Sequence, residues 1–250
     1  MKITYFLLFT FFITKSYSQD VNVLLKQAVN YERALKEDSA LLKYKAVLAV
    51  DSGNISALLK VSLLTTSFGN RQITVQLKQE SIIKANYFAD KVLLTDTTNC
   101  DANYARGLAA MELSSIETEN KKMVILLREA YAFAFRSLQF NSNHGKSNFL
   151  MGKLIFNIVN TAWTKKATVK VLYGGLPEAS IEDAILYFEK CKTVEPYFVQ
   201  NFLELGKAYK FNNNPYKAIE IFKMLIKLPN RTSDDALWKT EGKKILSEMQ

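Results

Sequence analysis

Residues 174–228 read GGLPEASIEDAILYFEKCKTVEPYFVQNFLELGKAYKFNNNPYKAIEIFKMLIKL. Apolar residues recur in this stretch every three or four positions, which is the period of an amphipathic helix. The helix starts are marked as well. Ser180 occupies an N-cap position three residues before Asp183, and Asn214 precedes Pro215 at the first position of a later helix. The stretch therefore predicts helices that pack in antiparallel pairs.

Small and large residues alternate in this stretch in a way that is typical of tetratricopeptide (TPR) repeats. Gly206 and Ala218 are small where two helices must cross closely, and Phe202 and Phe222 are large beside them. The TPR pattern has a period of about 34 residues. Since one helix pair cannot bury its apolar face alone, several pairs must stack into a solenoid.

Earlier segments repeat the offsets of this stretch. Gly107 and Gly152 mark further close crossings, and a last helix from Ser233 or Asp234 to Met249 is expected to cover the open end. The sequence therefore predicts an all-α, TPR-like α-solenoid of antiparallel helix pairs with a C-terminal closing helix, over residues 19–250. Equivalent second-helix positions are Ala40, Tyr44 and Val47; Ala85, Ala89 and Val92; Ala130 and Ala134; and Ala184, Phe188 and Cys191.

The first 18 residues have the features of a signal peptide. Lys2 precedes an apolar run from Ile3 to Ile13, and Ser16 and Ser18 are small residues at the positions that a signal peptidase reads. The alternative is a membrane anchor, but spanning a bilayer takes roughly 20 apolar residues. We therefore expect cleavage before Gln19 and an exported protein, periplasmic or extracellular.

The chain is basic, with 33 Lys and Arg against 24 Asp and Glu and a formal net charge of +9. No acid occurs between Ala130 and Pro177, a segment that forms either a basic face for an anionic partner or a packing helix with solvated lysines. Association with anionic lipid or polymer is therefore an alternative function, and we expect no nucleic-acid partner. The cations of this segment are Arg136, Lys146, Lys153, Lys165, Lys166 and Lys170.

The sequence offers no recognisable catalytic or metal site. His144, the single histidine, lies in a polar turn without a second ligand at metal spacing, so we expect a structural role. We expect no grouping of histidine, acid and serine, and hence no enzyme, no metal and no cofactor. Cys100 and Cys191 lie more than two repeats apart, which favours two free thiols, because solenoid contacts join neighbouring units.

A surface for partners remains the main candidate site. In a TPR superhelix the first helix of each pair lines the concave side, where lysines can hold carboxylates of a protein or peptide. The alternative is that several of these side chains pack under neighbouring repeats. The predicted groove residues are Tyr104, Leu108, Phe149, Lys153, Phe156, Leu203, Lys207 and Lys210, with Leu59 and Leu63 before them.

Several motifs together resemble one family. They are Met151-Gly152-Lys153, Trp163, Tyr173-Gly174-Gly175-Leu176-Pro177 and Leu228-Pro229-Asn230, together with a helix that extends from about Lys146 to Leu172. In this order they resemble the TPR domain of the regulator of microtubule dynamics protein family, over roughly Val21 to Ile245. The resemblance implies a TPR-like helical domain without catalytic residues to transfer. Eukaryotic members are linked to microtubules and organelle contacts, so a microtubule-associated role is a further alternative.

These observations lead to one function hypothesis. We expect an exported, non-enzymatic scaffold that binds protein or peptide partners in the bacterial envelope.

Overall fold

The computed structural model describes residues 21–160 and 180–250, which contain eleven helices and no strand. The predicted all-α architecture is thus confirmed. The predicted signal peptide, and the predicted extension of the helix through Gly152 as far as Leu172, lie outside the described residues. The helices are α1 over residues 21–33, α2 Glu37–Val50, α3 Ile55–Asn70, α4 Val75–Thr95, α5 Cys100–Ile116, α6 Asn120–Phe140, α7 Gly145–Asn160, α8 Ile181–Val194, α9 Val199–Phe211, α10 Pro215–Leu225 and α11 Asp235–Glu248.

The helices form five antiparallel pairs, α1–α2 to α9–α10, and α11 closes the C-terminal end by packing on α9 and α10. The first helices of successive pairs contact each other, as α3 with α5, α5 with α7, and α7 with α9. No two successive second helices pack together in this way within residues 21–160 and 180–250. The first helices are therefore on the inner, concave side of the solenoid and the second helices on its outer, convex side.

The repeat is longer than the TPR period in the N-terminal units. Ala40, Ala85 and Ala130 occupy equivalent positions and lie 45 residues apart, whereas Ala184 and Ala218 lie 34 residues apart. The 34-residue period predicted from the C-terminal stretch therefore holds there but is wrong for the first units. The cause is helix length, because α4 and α6 have 21 residues each and α10 has 11.

The predicted helix starts are confirmed by their caps. The Ser180 hydroxyl accepts a hydrogen bond from the Asp183 N–H, and the Asp183 carboxylate binds back to the Ser180 N–H, which completes a capping box. Asn214 Oδ1 accepts from the Lys217 N–H at 3.2 Å, and Pro215 follows at the first helical position. These caps satisfy backbone donors that have no partner within the helix.

The helices of a pair cross closely where a glycine or a serine occurs. Gly152 lies against the Phe188 ring, and Gly206 lies against the Phe222 ring. In the second unit Ser62 takes the glycine position, and its buried hydroxyl donates to the Ala85 carbonyl at 2.9 Å. The predicted close crossings therefore pair a small residue with a bulky one or with a backbone carbonyl.

Most of the core is one apolar cluster that extends from Tyr104 to Leu246, and a separate cluster from Ala28 to Leu64 lies between α1, α2 and α3. Within the two described ranges, no helix has the combination of length and hydropathy needed to cross a membrane.

Candidate functional site

One row of side chains follows the concave side from unit to unit. Leu63, Leu108, Lys153 and Lys207 occupy equivalent positions on α3, α5, α7 and α9, and all four are partly exposed. The row is apolar on α3 and α5 and cationic on α7 and α9. We call these four residues the inner row, and it is the part of the predicted groove that solvent reaches along several units.

Four of the ten predicted groove residues belong to the core instead. Tyr104, Phe149, Phe156 and Leu203 are each 5% exposed or less, so the prediction that they line an open groove is wrong. Tight contact between successive first helices explains their burial. The Phe149 ring packs edge-on against Phe198 with centroids 4.7 Å apart, and Phe156 packs in the same manner against Phe211 at 5.9 Å. These aromatic contacts join the fourth unit to the fifth.

The inner-row lysines already have carboxylate partners within the chain. Lys153 Nζ lies 3.5 Å from Glu204 Oε1, and Lys207 Nζ lies 3.6 Å from the same oxygen. Lys207 also pairs with Glu241 of α11 at 2.7 Å. Two lysines and two glutamates thus form a neutral chain of ion pairs across α7, α9 and α11, and the prediction that these lysines are free to hold a partner's carboxylates needs correction.

Sequence reasoning missed the two glutamates of this chain of ion pairs. Glu204 lies three residues before Lys207 on one helix, which is a spacing at which side chains meet, so this pair could have been found. The contact with Glu241 depends on how α11 packs on α9. Lys210, the last predicted groove residue, is exposed and has no carboxylate within 4 Å in the described part of the chain.

The acid-free segment presents fewer free cations than its composition indicates. Lys153 is paired with Glu204, and the Lys146 ammonium lies 4.2 Å from the centroid of the Phe198 ring. Burial lowers the pKa of Lys146, although nearby carboxylates such as Glu195 act in the opposite direction. Arg136 is exposed on the convex side. Lys165, Lys166 and Lys170 lie outside the described residues.

His144 is part of a grouping of acid, histidine and serine that sequence reasoning did not expect. Its Nε2 lies 3.2 Å from Asp101 Oδ1, and its Nδ1 lies 2.8 Å from Ser147 Oγ. The hydrogen bond from His144 is the main cause that lowers the pKa of Asp101. The expectation that no such grouping exists is therefore wrong, because Asp101 is brought to His144 from the preceding unit.

The grouping serves as a helix cap. Since the Asp101 carboxylate can only accept, the neutral His144 ring carries its proton on Nε2, and Nδ1 accepts the Ser147 N–H at 3.3 Å. Asn54 and Asn99 make the same bond to the helices α3 and α5, at positions 90 and 45 residues earlier. Ser147 is fully buried, with its Oγ also 2.7 Å from Ser137 Oγ, so it is not placed as a nucleophile.

Replacing His144 tests this capping role. We expect His144→Ala to lower the free energy of unfolding by about 1 kcal/mol, because the Ser147 N–H loses its acceptor. We expect His144→Asn to recover at least half of that loss, because asparagine caps the equivalent helices. Urea unfolding measures both, with Asn99→Ala as the matched loss in the preceding unit. Equal losses for the two His144 variants would contradict the capping role.

The two cysteines are free, as the sequence favoured. Cys191 is fully buried, and burial raises the pKa of its thiol to about 12. Cys100 lies 3.5 Å from the Ser137 carbonyl oxygen at the start of α5. Residues 21–160 and 180–250 contain no group of three or more His, Cys, Asp or Glu side chains that is arranged to hold a metal ion.

Comparison with known proteins gives one consistent result. The family model described as Regulator of microtubule dynamics protein 1-3 matches residues 23–250. Regulator of microtubule dynamics protein 1 of Mus musculus is 30% identical over 114 residues, which cover 45% of this chain and 37% of that protein. The protein of the same name from Bos taurus is 24% identical over 173 residues, which cover 68% of this chain and 53% of that protein. The chain thus matches about a third to a half of the length of these curated relatives.

A solved structure supports the fold independently. A thermophilic TPR protein of Thermus thermophilus superposes with a TM-score of 0.63 over 90% of this chain and 99% of that chain, at 12% sequence identity. At this identity the likeness shows the solenoid architecture alone. Because the family model matches nearly the whole chain, the sequence-based resemblance is confirmed, and the chain belongs to the Regulator of microtubule dynamics protein 1-3 family.

Proposed function

We propose that this protein is a non-enzymatic scaffold that binds a protein or peptide partner along the concave side of its solenoid. The inner row is the observation that carries the proposal, since it presents partly exposed side chains at one position of four successive units. A partner segment that follows the row meets Leu63 and Leu108 first and then the ion pairs of Lys153 and Lys207. Repeated contacts of this kind suit an extended or helical peptide.

The geometry favours a partner that is held by apolar contacts and distinguished from other partners by its polar groups. Leu63 and Leu108 offer apolar surface without a charged competitor, whereas each inner-row lysine is engaged with Glu204. A carboxylate of the partner must therefore share a lysine with Glu204 or displace it. A partner with apolar side chains at one end and polar groups at the other fits this surface best.

We also propose that the protein acts after export, in the periplasm or outside a bacterial cell. The support is the sequence of residues 1–18, with its short basic start, apolar run and small residues before Gln19. A mature chain that begins at Gln19 in an envelope fraction, identified by mass spectrometry, is the expected result. A chain that retains Met1 or Lys2 in the cytosolic fraction would contradict export.

Capture of partners from the native envelope tests the scaffold function. We expect the mature protein to retain a defined protein partner, and we expect Leu63→Ser/Leu108→Ser to lose most of it. Lys153→Gln/Lys207→Gln is the second variant. Glutamine is chosen because a glutamate at either position would face Glu204 and would destabilise the fold for reasons unrelated to binding.

The matched control lies on the convex side. Leu42 and Leu186 are exposed leucines on second helices, so Leu42→Ser/Leu186→Ser makes the same chemical change away from the inner row. We expect this control to retain the partner. Equal capture by both leucine variants would contradict binding at the inner row, and turnover of a substrate by the purified protein would contradict the non-enzymatic role.

Family membership favours a second candidate, a role at microtubules, because the curated relatives are named as regulators of microtubule dynamics. Co-sedimentation with polymerised tubulin distinguishes the two candidates. If Leu63→Ser/Leu108→Ser and the convex control both still co-sediment with polymerised tubulin, the result would favour microtubule binding at a surface other than the inner row.

A further inference from the structure

The two ends of the solenoid meet at a small polar cluster. Ser233, in the connection between α10 and α11, donates its N–H to Glu37 Oε1 of α2 at 3.0 Å, across 196 positions of sequence. Arg71, just after α3, binds Glu37 Oε2 at 2.6 Å and lies 3.6 Å from Asp234 Oδ1. These four residues join the first two units to the last connection, so the chain closes one turn.

Each half of this cluster is held in position by contacts within its own end of the chain. On the C-terminal side, buried Asp235 accepts the N–H groups of Arg231 and Thr232 at 2.6 and 2.8 Å, which fixes the backbone that carries Ser233. On the N-terminal side, the Arg71 guanidinium lies 4.8 Å from the centroid of the Phe68 ring. Asp234 is the N-cap residue of α11, but its side chain makes no cap bond and faces Arg71 instead.

The joint between the ends is polar, unlike the joints between successive units. The apolar cluster of α1, α2 and α3 is separate from the cluster that includes Leu246 of α11. Burial raises the pKa of Glu37, but the hydrogen bonds from Arg71 and Ser233 outweigh it and leave the pKa lowered. A joint made of a hydrogen bond and ion pairs can open without loss of the apolar core.

We propose that Glu37, Arg71, Ser233 and Asp234 form a latch that holds the superhelix closed, and that release of the latch widens its concave side. Two acids share the single Arg71 guanidinium across this joint. Loss of Arg71 therefore leaves Glu37 and Asp234 facing each other with like charge, which drives the ends apart. The consequence for partner binding rests on the proposed function, whereas the opening itself does not.

The charge arrangement gives a test that needs no partner. We expect Arg71→Met to speed hydrogen exchange of the Ser233 N–H by about tenfold or more, because a bond to a charged acceptor is lost. We expect the radius of gyration from small-angle X-ray scattering to increase as well. Adding Asp234→Asn to Arg71→Met removes the repulsion, so this double variant is expected to exchange more slowly than Arg71→Met alone.

Arg33→Met is the control, since Arg33 is an exposed arginine at the end of α1. It is expected to leave the exchange rate of the Ser233 N–H and the radius of gyration unchanged. If Arg71→Met behaves like this control, the latch does not exist. If exchange at Ser233 accelerates while the radius of gyration stays constant, the contact is local and the opening part of the proposal is wrong.

Access to the inner row is measured separately with a small reagent. Leu108→Cys, in a chain that carries Cys100→Ser and Cys191→Ala, places one thiol on the concave side. We expect iodoacetamide to alkylate it faster when Arg71→Met is added and at the parent rate when Arg33→Met is added. Equal rates in all three chains would overturn the link between the latch and the concave side, whatever the outcome of partner capture.

Discussion

Phe188→Ala is expected to lower the free energy of unfolding by about 3–5 kcal/mol, as removal of a fully buried phenylalanine does in well-packed cores. The Phe188 ring fills the close crossing of α7 and α8, against Gly152 on one side and Phe149 on another. Gly152 has no side chain that could move into the vacated space, so the cavity persists. Urea unfolding followed by circular dichroism measures the loss.

Leu186→Ala is the matched control for this change. Leu186 lies on the same helix, two residues earlier, and is 53% exposed on the convex side. We expect its truncation to change stability by no more than about 0.5 kcal/mol, the usual range for surface positions. A loss below about 1 kcal/mol for Phe188→Ala would show that the two helices of the fourth unit, α7 and α8, are not held together at this crossing.

Helix boundaries and close crossings could be predicted from the sequence because they depend on short-range relations. The Ser180 cap acts on a residue three positions away, and the small residues at Gly152 and Gly206 recur at fixed offsets from bulky ones. These relations hold for any TPR-like unit. The predicted repeat length of 34 residues is correct only for the C-terminal units from which it was inferred. The longer helices α4 and α6 lengthen the earlier units.

The candidate site depends on relations that the offsets do not contain. Offsets identify the helix face that turns inward, but they do not give the curvature, which is tight enough here to bury Phe149 and Leu203 between successive first helices. The partners of Lys153 and Glu37 lie 51 and 196 residues away and become neighbours only through stacking and closure. For this reason the four inner-row residues could be predicted from the sequence, whereas their ion pairs, the burial of their neighbours and the latch could be found only in the structure.

His144 lies between these two cases. Its spacing from Asn54 and Asn99 was visible in the sequence and indicates a capping position, whereas the contribution of Asp101 depends on how the third unit packs on the fourth. A repeat-equivalent position was therefore a better guide to the role of this histidine than a search for catalytic residue types.

Gly152→Ala is expected to destabilise the protein by about 1–3 kcal/mol, the usual effect of overfilling a packed core. Elsewhere in a helix interior the same change stabilises by up to about 1 kcal/mol, because alanine has the higher helix propensity. Here the new Cβ would lie 2.9 Å from two atoms of the Phe188 ring and 3.1 Å from the Ala184 carbonyl oxygen. The ring is fully buried and cannot withdraw, and the carbonyl belongs to the helix backbone.

Two further variants separate this steric effect from a general effect of removing glycine. Gly53→Ala changes a glycine in an exposed turn, where a new Cβ would lie 3.8 Å from Asp51 Oδ1 in ordinary contact, and we expect stability to stay within about 0.5 kcal/mol. Gly152→Ala combined with Phe188→Leu shortens the opposing side chain, so we expect the two losses to be less than additive. Strict additivity would mean that contact with the Phe188 ring does not cause the loss, and a gain in stability from Gly152→Ala alone would mean that α7 and α8 can separate at this crossing without cost. In that case the glycine pattern would reflect the geometry of a single helix and would carry no information about how the two helices of a pair pack.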